Sequence, residues 1–450
     1  VLSRGLGDVY KRQINERGVA QGSVLGPSVF AITLEKCVDR VMVRLEQSHQ
    51  VCIQGSGLLD DQGFVGSSQS LMYLWEILRE ELVNIGLELR PEKCQILWPW
   101  DHDPSQEFAA WAADESIPIR RNFVVVAGVP IGPHQQDKER WVYRRLIDRT
   151  KAFFDRIKHQ DMPPQLAYRL LALSGPARAN YVARTSSVRV AQRALHDFDT
   201  EVLYALWIVC GIKVDRMDQV LLERLEDQVA LPFALGGLAL RQSELTNQWA
   251  RACALCEIVA EDRRSGSGYF TDEVIGRGSG TFEVIQNAIQ ASRNSEMIRD
   301  EFFQTFTGPN GGARRKIRED MQHKLPSSAD AFLIAASIKE DREHAWYPRH
   351  LQRVMEASAD RVREEQLKQH LNPVDRARLL SCAKSAPLFT GNVQTSISRV
   401  PSQSFIWKVR HYLGLPMTMC SVRLCPGSKC DAVDRACLLY TSPSPRDKTV

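Results

Sequence analysis

The stretch from Val51 to Val65 (VCIQGSGLLDDQGFV) carries two adjacent acidic residues, Asp60 and Asp61, between two apolar segments. The polar quartet Asp60 to Gly63 ends in glycine, and such a quartet between apolar positions is typical of a β-hairpin turn. We therefore predict a hairpin with the acidic pair at its tip. Two carboxylates held in this way suit a divalent cation, but aspartate is also common in turns that carry no chemistry.

One amphipathic helix is predicted on each side of this hairpin. Before it, apolar residues recur every three or four positions from Pro27 to about His49, which is the spacing of a helical face. After it, a second helix is predicted to begin behind Ser67 and Ser68 and to stop at Gly86, because glycine favours helix C-termini. The acidic hairpin is thus expected to lie between two helices.

Short strands are predicted after the second helix, around the turn at Pro91. The apolar segment Asn122 to Ile131 (NFVVVAGVPI) predicts one buried strand. Beyond Pro133 helical periodicity dominates, so a mainly helical region is expected to follow. The order of helix, hairpin, helix and strands indicates an α+β layer.

The composition is that of a globular protein with several domains. The 450 residues are 44% hydrophobic and 25% charged, and at about 150 residues per domain they suggest two to four domains. The net charge of +4 is too small to argue by itself for nucleic-acid binding.

No apolar run reaches the roughly 20 residues of a membrane span, so no membrane anchor is predicted. Eleven scattered cysteines and no signal peptide favour an intracellular protein.

Three further segments accompany the acidic hairpin along the chain. Residues 18–30 (GVAQGSVLGPSVF) precede it, and residues 86–97 (GLELRPEKCQIL) and 126–132 (VAGVPIG) follow it. In order and spacing these segments resemble the reverse transcriptase family, whose patterns are Q-G-x-x-L-G-P-x-x-F, aromatic-x-D-D and G-L-x-L-N-x-x-K-C, followed by a strand and turn near the primer grip. The resemblance extends from Ile14 to Ser243 and includes a glycine-rich segment at residues 231–241.

The resemblance implies an RNA-directed DNA polymerase of a non-LTR retrotransposon, located in the nucleus and cytoplasm. Asp60 and Asp61 are then expected to hold Mg²⁺ or Mn²⁺ while a nucleotide passes from a dNTP to the 3′ hydroxyl of a DNA primer on an RNA template. Lys93 would act on the leaving pyrophosphate, and Gln21 and Gly22 would contact substrate. An ordinary surface lysine and a structural helix start are the alternatives at these positions. Protein partners are left open.

The chain departs from the family at several positions. Leu58 replaces the usual aromatic residue, Ser23 a frequent aspartate and Arg90 a common asparagine. The family's first catalytic aspartate lies before Gln21, where residues 1–13, like residues 437–450, resemble sequencing-adapter read-through; genuine tails are the alternative. We therefore expect a truncated chain that does not polymerise alone. A degenerate nucleic-acid-binding remnant and an unrelated helical interaction protein are the other hypotheses.

Basic residues concentrate between Lys138 and Lys158, where eight of them accompany three acidic residues. Such a stripe predicts salt-sensitive binding to the phosphates of a template–primer duplex, although a solvated helix face is the alternative. The four that we predict to contact phosphate are Arg144, Arg145, Arg149 and Lys151. A second basic cluster at residues 314–318 is more typical of a charged linker.

Two groups of cysteines are candidate zinc ligands. Cys420, Cys425 and Cys430 follow a run similar to the one that precedes a cysteine/histidine box in related elements. Because tetrahedral zinc needs four ligands, Zn²⁺ is expected only in the full-length protein. Cys253 and Cys256 lie in an apolar helical pattern, which predicts buried thiols.

These observations predict an α+β fold. It comprises a partial right-hand polymerase palm, built from a β-hairpin and a short antiparallel sheet packed on helices, and then a mainly α-helical thumb and C-terminal region. The predicted divisions are non-native flanks at residues 1–13 and 437–450, a partial palm at 14–135, a thumb-like helical region at 136–245, a helical C-terminal region at 246–400 and the start of a Cys/His zinc-binding region at 401–436.

Overall fold

The computed structural model describes residues 24–49, 53–58, 61–265, 278–299, 303–304, 325–330, 351–382 and 402–415. The chain forms two compact units, Val1–Trp141 and Val142–Val450. Across the described ranges helices predominate, and each sheet contains two strands. The predicted α+β class is therefore confirmed at the coarse level. Gln21, Gly22 and Asp60, together with Cys420, Cys425 and Cys430, lie outside the described residues.

The first unit combines helices with three small sheets. Its elements are α1 (Gly26–His49), β1 (Gln54–Leu58), β2 (Asp61–Val65), α2 (Ser68–Asn84), β3 (Ile96–Leu97), α3 (Gln106–Asp114), β4 (Ile119–Arg120), β5 (Val124–Val126), β6 (Val129–Ile131) and the start of α4 (Gln135–Ile157). Strand β1 pairs with β2 and β5 with β6, both antiparallel, whereas β3 and β4 are parallel. The unit is thus an α+β arrangement.

Helices α1 and α2 begin and end within about two residues of the predicted limits, and they pack against each other. Ser67 caps α2, because its hydroxyl oxygen accepts a hydrogen bond from the Ser70 N–H at 3.1 Å. Gly86 follows the helix with a φ of +79°, a conformation that glycine adopts at little cost. The two helices share an apolar core with the hairpin, since Ile53 is buried in it and Phe64 packs against it.

The segment from Asn122 to Ile131 is a β-hairpin, so the prediction of one buried strand was wrong. Val126 pairs with Val129, and the two residues between them form the turn. Ala127 and Gly128 both have positive φ, 46° and 76°, as a two-residue type I′ turn requires. No polar residue interrupts the segment at this turn, so the hydrophobicity pattern does not reveal the turn.

The second unit is mainly helical. Its elements are the rest of α4, then α5 (Pro164–Ser174), α6 (Asn180–Thr185), α7 (Val188–Val209), α8 (Gln219–Ala230), α9 (Ser243–Ser265), α10 (Gly280–Arg293), β7 (Phe303–Gln304), β8 (Leu325–Pro326), α11 (Leu351–His370), α12 (Pro373–Cys382) and α13 (Ser402–Tyr412). Helix α9 packs against α6, α7, α10 and α11. It therefore forms the centre of this helical arrangement.

Cysteines on α9 belong to the apolar core. Cys253 and Cys256 are buried together with Trp249 and Ile289, and burial raises the pKa of the Cys253 thiol well above its usual value. The prediction of buried thiols is confirmed. Among the helices that the structure describes, none is long and apolar enough to cross a membrane.

The glycine-rich segment at residues 231–241 is held by buried hydrogen bonds. The Tyr168 hydroxyl donates to the Leu238 carbonyl at 2.7 Å, and the Tyr412 hydroxyl donates to the Gly237 carbonyl at 3.2 Å. A Cβ atom on Gly237 would lie 1.9 Å from the Leu231 carbonyl oxygen, so only glycine fits. The segment thereby connects α5 and α13 with the start of α9.

Candidate active site

The hairpin that carries the acidic pair is well defined by its ladder. Strands β1 and β2 pair from Gln54 opposite Val65 to Leu58 opposite Asp61. The connection therefore consists of residues 59 and 60 alone, and Asp61 is the first residue of β2. The hairpin itself is confirmed, but the predicted turn of four residues was wrong, because Gln62 and Gly63 lie within β2.

Two glycines explain how the hairpin packs. They also explain why the sequence predicted the turn at the wrong residues. Gly55 of β1 lies opposite Phe64, and a Cβ atom at Gly55 would lie 3.0 Å from the Phe64 ring. Gly57 lies opposite Gln62, whose side chain occupies the corresponding space. Glycine in this hairpin makes room for cross-strand side chains, whereas in the sequence alone it indicates a turn.

Asp61 is exposed at the start of β2. Within the described part of the chain, no cationic side chain forms an ion pair with it. An exposed carboxylate next to a two-residue connection is accessible to a cation or ligand from solvent. Its neighbour Asp60 belongs to the connection and lies outside the described residues.

The metal expected at this hairpin requires more ligands than Asp61 alone. Mg²⁺ prefers an octahedral oxygen shell, to which proteins commonly supply one or two carboxylates. Across the described ranges, no group of three or more histidine, cysteine, aspartate or glutamate side chains is arranged to hold a metal ion.

Lys93 ends a 3₁₀ turn, Pro91–Lys93, that follows α2. Its side chain is exposed, and its backbone N–H donates to the Arg90 carbonyl at 2.9 Å. The preceding residues Leu87 and Leu89 pack against the same core as Phe64 of the hairpin. The segment that carries Lys93 and the hairpin that carries Asp61 thus share one hydrophobic support.

Glu81 is a supporting residue that sequence reasoning missed. It lies buried on α2, and its two carboxylate oxygens accept hydrogen bonds from Arg40 at 3.0 Å and Arg44 at 2.8 Å, both on α1. These hydrogen bonds, from Arg44 and then Arg40, hold the pKa of the Glu81 carboxyl below its usual value. The signal in the sequence was a glutamate within the apolar spacing of α2, between Leu78 and Leu82.

The basic residues of α4 occupy two sides of the helix. With about 100° of rotation per residue, Arg144 and Lys151 lie on one side, and both are exposed. Arg145 and Arg149 lie on another side, next to the buried face of α4; Arg149 is exposed, whereas Arg145 is half-buried. Asp148 lies between the two pairs. The predicted stripe is therefore two basic rows on α4.

Comparison with known proteins gives one informative match. The chain is similar to the "Retrotransposable element SLACS 132 kDa protein" of Trypanosoma brucei gambiense, with 23% identity over 239 residues. The chain resembles a retrotransposon protein. The matched segment is 53% of this chain but only 18% of that relative, so the chain spans less than a fifth of the relative's length. No protein-family model and no solved structure matches the chain.

Proposed function

We propose that this chain is part of a retrotransposon's RNA-directed DNA polymerase, an intracellular protein of the nucleus and cytoplasm. In the proposed reaction, a deoxynucleotide is added to the 3′ hydroxyl of a DNA primer under the direction of an RNA template. Asp60 and Asp61 are the proposed catalytic residues. The similarity to a retrotransposon protein supports the type of element but not the activity, because the name of that relative mentions no activity.

The β1–β2 hairpin is the observation that carries this proposal. The ladder begins with Asp61 opposite Leu58, and Phe64 of β2 packs on the core of α1 and α2. Asp61 is therefore mounted on a supported strand, and phosphoryl transfer depends on side chains that are held in position in this way. The same hairpin occupies the place of the aromatic-x-D-D box in the segment order described above.

Each proposed residue has a separate task. A bound Mg²⁺ or Mn²⁺ would activate the primer hydroxyl and neutralise charge on the leaving pyrophosphate. Asp60 and Asp61 would supply the carboxylates that hold it, and Lys93 would attract the pyrophosphate as a point charge. Gln21 and Gly22 would contact the incoming nucleotide or template, and the basic rows of α4 would bind the duplex phosphates.

A nucleic-acid-binding remnant without catalysis is the second candidate. The departures at Ser23, Leu58 and Arg90 favour it, because each lies within a segment that the resemblance assigns to the active site. The basic rows of α4 serve either candidate equally well. Polymerisation itself is therefore the property that separates them.

Primer extension on an RNA template tests the proposal. The resemblance assigns a third metal-binding carboxylate to the region before Gln21, so the assay uses the reading frame of the gene together with its natural upstream sequence. With Mg²⁺ and dNTPs we expect template-dependent extension that is lost in Asp60→Asn. Template–primer binding without any extension would contradict the polymerase and support the remnant.

The 450-residue chain is assayed in parallel. We expect it to bind template–primer without extending it, because two carboxylates leave the metals short of protein ligands. Robust extension by this chain would contradict the need for a third carboxylate, although it would support polymerase activity.

A further inference from the structure

Helix α1 has an apolar face that the core of its unit does not use. Its core-facing side carries four buried residues, Leu34, Cys37, Val41 and Leu45. With about 100° of rotation per residue, Val29, Ile32 and Val43 lie on the opposite side of the helix. Each of these three is about half exposed, at 49%, 53% and 50%. Apolar side chains on this side of α1 are therefore available to a partner.

These three residues belong to a longer stripe with the spacing of a coiled coil. Steps of three and four residues alternate along one exposed face of α1, which we call the outer stripe: Val29, Ile32, Lys36, Asp39, Val43 and Glu46. Single exposed valines are common on protein surfaces. Alternating steps of three and four, however, let one helix pack along another over several turns. The spacing thus favours a second helix as the occupant of this face.

Opposite charges lie at the centre of the outer stripe. Lys36 and Asp39 are both exposed, and within the described part of the chain neither of them forms an ion pair. The arginines of the same helix are engaged elsewhere, since Arg40 and Arg44 bind Glu81 of α2. One positive and one negative side chain therefore remain available between Ile32 and Val43.

The outer stripe is complementary to itself when two copies of α1 run antiparallel. With a two-fold axis between residues 37 and 38, Lys36 faces Asp39 of the second copy, and Ile32 faces Val43 of the second copy. Symmetry repeats both contacts. Val29 and Glu46 form the outermost pair, at the ends of the contact, where the Glu46 carboxylate can still reach water. Charge and apolar surface match in the same register.

Other arrangements of the two helices bring mismatched residues together. A parallel pair would place Lys36 against its own copy and Asp39 against its own copy, and like charges facing each other are unfavourable. An antiparallel pair shifted by one heptad would place Asp39 against Val29 or Val43. Polar residues within such a seam are known to select orientation and register at some cost in stability. Lys36 and Asp39 therefore select the antiparallel register.

From this self-complementary stripe we infer that two copies of the chain associate through α1 as an antiparallel, two-fold symmetric pair. Association buries Ile32 and Val43 and brings Lys36 and Asp39 of opposite copies together. Phe64 of the hairpin packs on the other side of α1, with the core, so the contact does not disturb the support of the hairpin. The inference goes beyond the proposed polymerase function and does not depend on it.

Sedimentation equilibrium of the full 450-residue chain tests the association. One helix from each copy makes a small interface, so we expect a monomer–dimer equilibrium with a dissociation constant of roughly 10–100 μM. Concentrations from about 1 to 200 μM cover this range. A single monomeric species at every concentration would overturn the inference.

A pair of valine substitutions locates the interface. Val43→Glu introduces a carboxylate opposite Ile32 of the second copy, and we expect the dissociation constant to rise at least about tenfold. Val83→Glu is the matched control, because Val83 is an exposed valine of α2 outside the outer stripe. Far-UV circular dichroism confirms that both variants are folded. An unchanged dissociation constant in Val43→Glu, or an equal rise in Val83→Glu, would contradict the assignment to α1.

Exchange of the central charges tests the antiparallel register. Lys36→Glu places two carboxylates opposite each other, and Asp39→Lys places two ammonium groups opposite each other, so each variant alone should associate about tenfold more weakly. An equimolar mixture of the two variants pairs opposite charges again and should regain association, which also shows that both are folded. In a parallel pair the mixture would leave Asp39 and the introduced lysine opposed but the single variants would not differ from the unmodified chain. Unweakened single variants, or a mixture that associates no better than either variant alone, would overturn the antiparallel pair.

Discussion

Leu58 of β1 lies directly opposite Asp61 of β2 in the antiparallel ladder. This pairing leaves only residues 59 and 60 for the connection, and it fixes the position of Asp61 at the first residue of β2. The register is in turn supported from the other end of the hairpin, where Gly55 lies opposite Phe64. The position of Asp61 thus depends on the packing of Phe64 against α1 and α2.

Gly55→Val is expected to loosen the hairpin. The added Cβ atom would lie 3.0 Å from the Phe64 ring, so the ring must move by a few tenths of an ångström against the core, at a cost of about 1–3 kcal/mol. Hydrogen exchange of the β1 and β2 amides should become faster. At Gly57 the added atom would meet only the flexible Gln62 side chain, so Gly57→Val is the control. Equal protection in both variants would contradict this role for Phe64.

Glu81→Ala is expected to separate α1 from α2. It removes the acceptor of Arg40 and Arg44, and losing two charged hydrogen bonds at a largely buried carboxylate should cost about 1–3 kcal/mol. Urea unfolding, together with hydrogen exchange of α1, measures this loss. Glu80→Ala is the matched control, because Glu80 is exposed and, among the described residues, forms its ion pair with Arg44. If the two variants are equally stable, Glu81 does not hold the helices together.

The basic rows of α4 are tested by salt dependence. Arg144, Arg149 and Lys151 are exposed, and each phosphate contact contributes about 0.9 to the log–log salt slope of duplex binding. Replacing all three by glutamine should weaken template–primer binding and reduce the slope by about 2–3. A control with the same charge change replaces Arg189, Lys213 and Arg353, which are exposed on other segments. An equal effect of both triple variants would indicate a general charge effect instead of a binding surface.

Asp199 should make stability depend on pH. Its folded-state pKa of about 6 lies above the roughly 3.9 of an unfolded aspartate. The stabilisation is therefore complete below about pH 4 and is lost as pH rises through about 6, with a magnitude near 3 kcal/mol. Asp199→Asn should lack this decrease. Urea unfolding of both proteins between pH 4 and 7.5 tests it, and parallel curves would contradict a raised pKa.

Sequence patterns predicted the helices near the hairpin because their signals are local. The signals for α1 and α2 involve residues that are close together in the sequence: the apolar spacing of α1, and the boundary residues Ser67 and Gly86 of α2. The β5–β6 hairpin was missed because its turn uses Ala127, a residue that rarely adopts positive φ.

The contact between α7 and the start of α9 could not be predicted for a different reason. The Asp199 carboxylate accepts a hydrogen bond from the Glu244 N–H, 45 residues away in the sequence. No local pattern indicates such a contact, because it depends on how α7 and α9 pack.

We propose that the carboxylates of the β1–β2 hairpin serve nucleotide addition. The most direct measurement is the single-turnover rate of adding one dNTP to a primer on an RNA template, made with the gene's natural upstream sequence present. Asp61→Asn should lower this rate at least about a hundredfold, since a metal-binding carboxylate contributes several kcal/mol. Asp114→Asn, an exposed aspartate at the end of α3, should leave it unchanged. Equal rates for Asp61→Asn and Asp114→Asn would contradict the assignment of the hairpin as the active site.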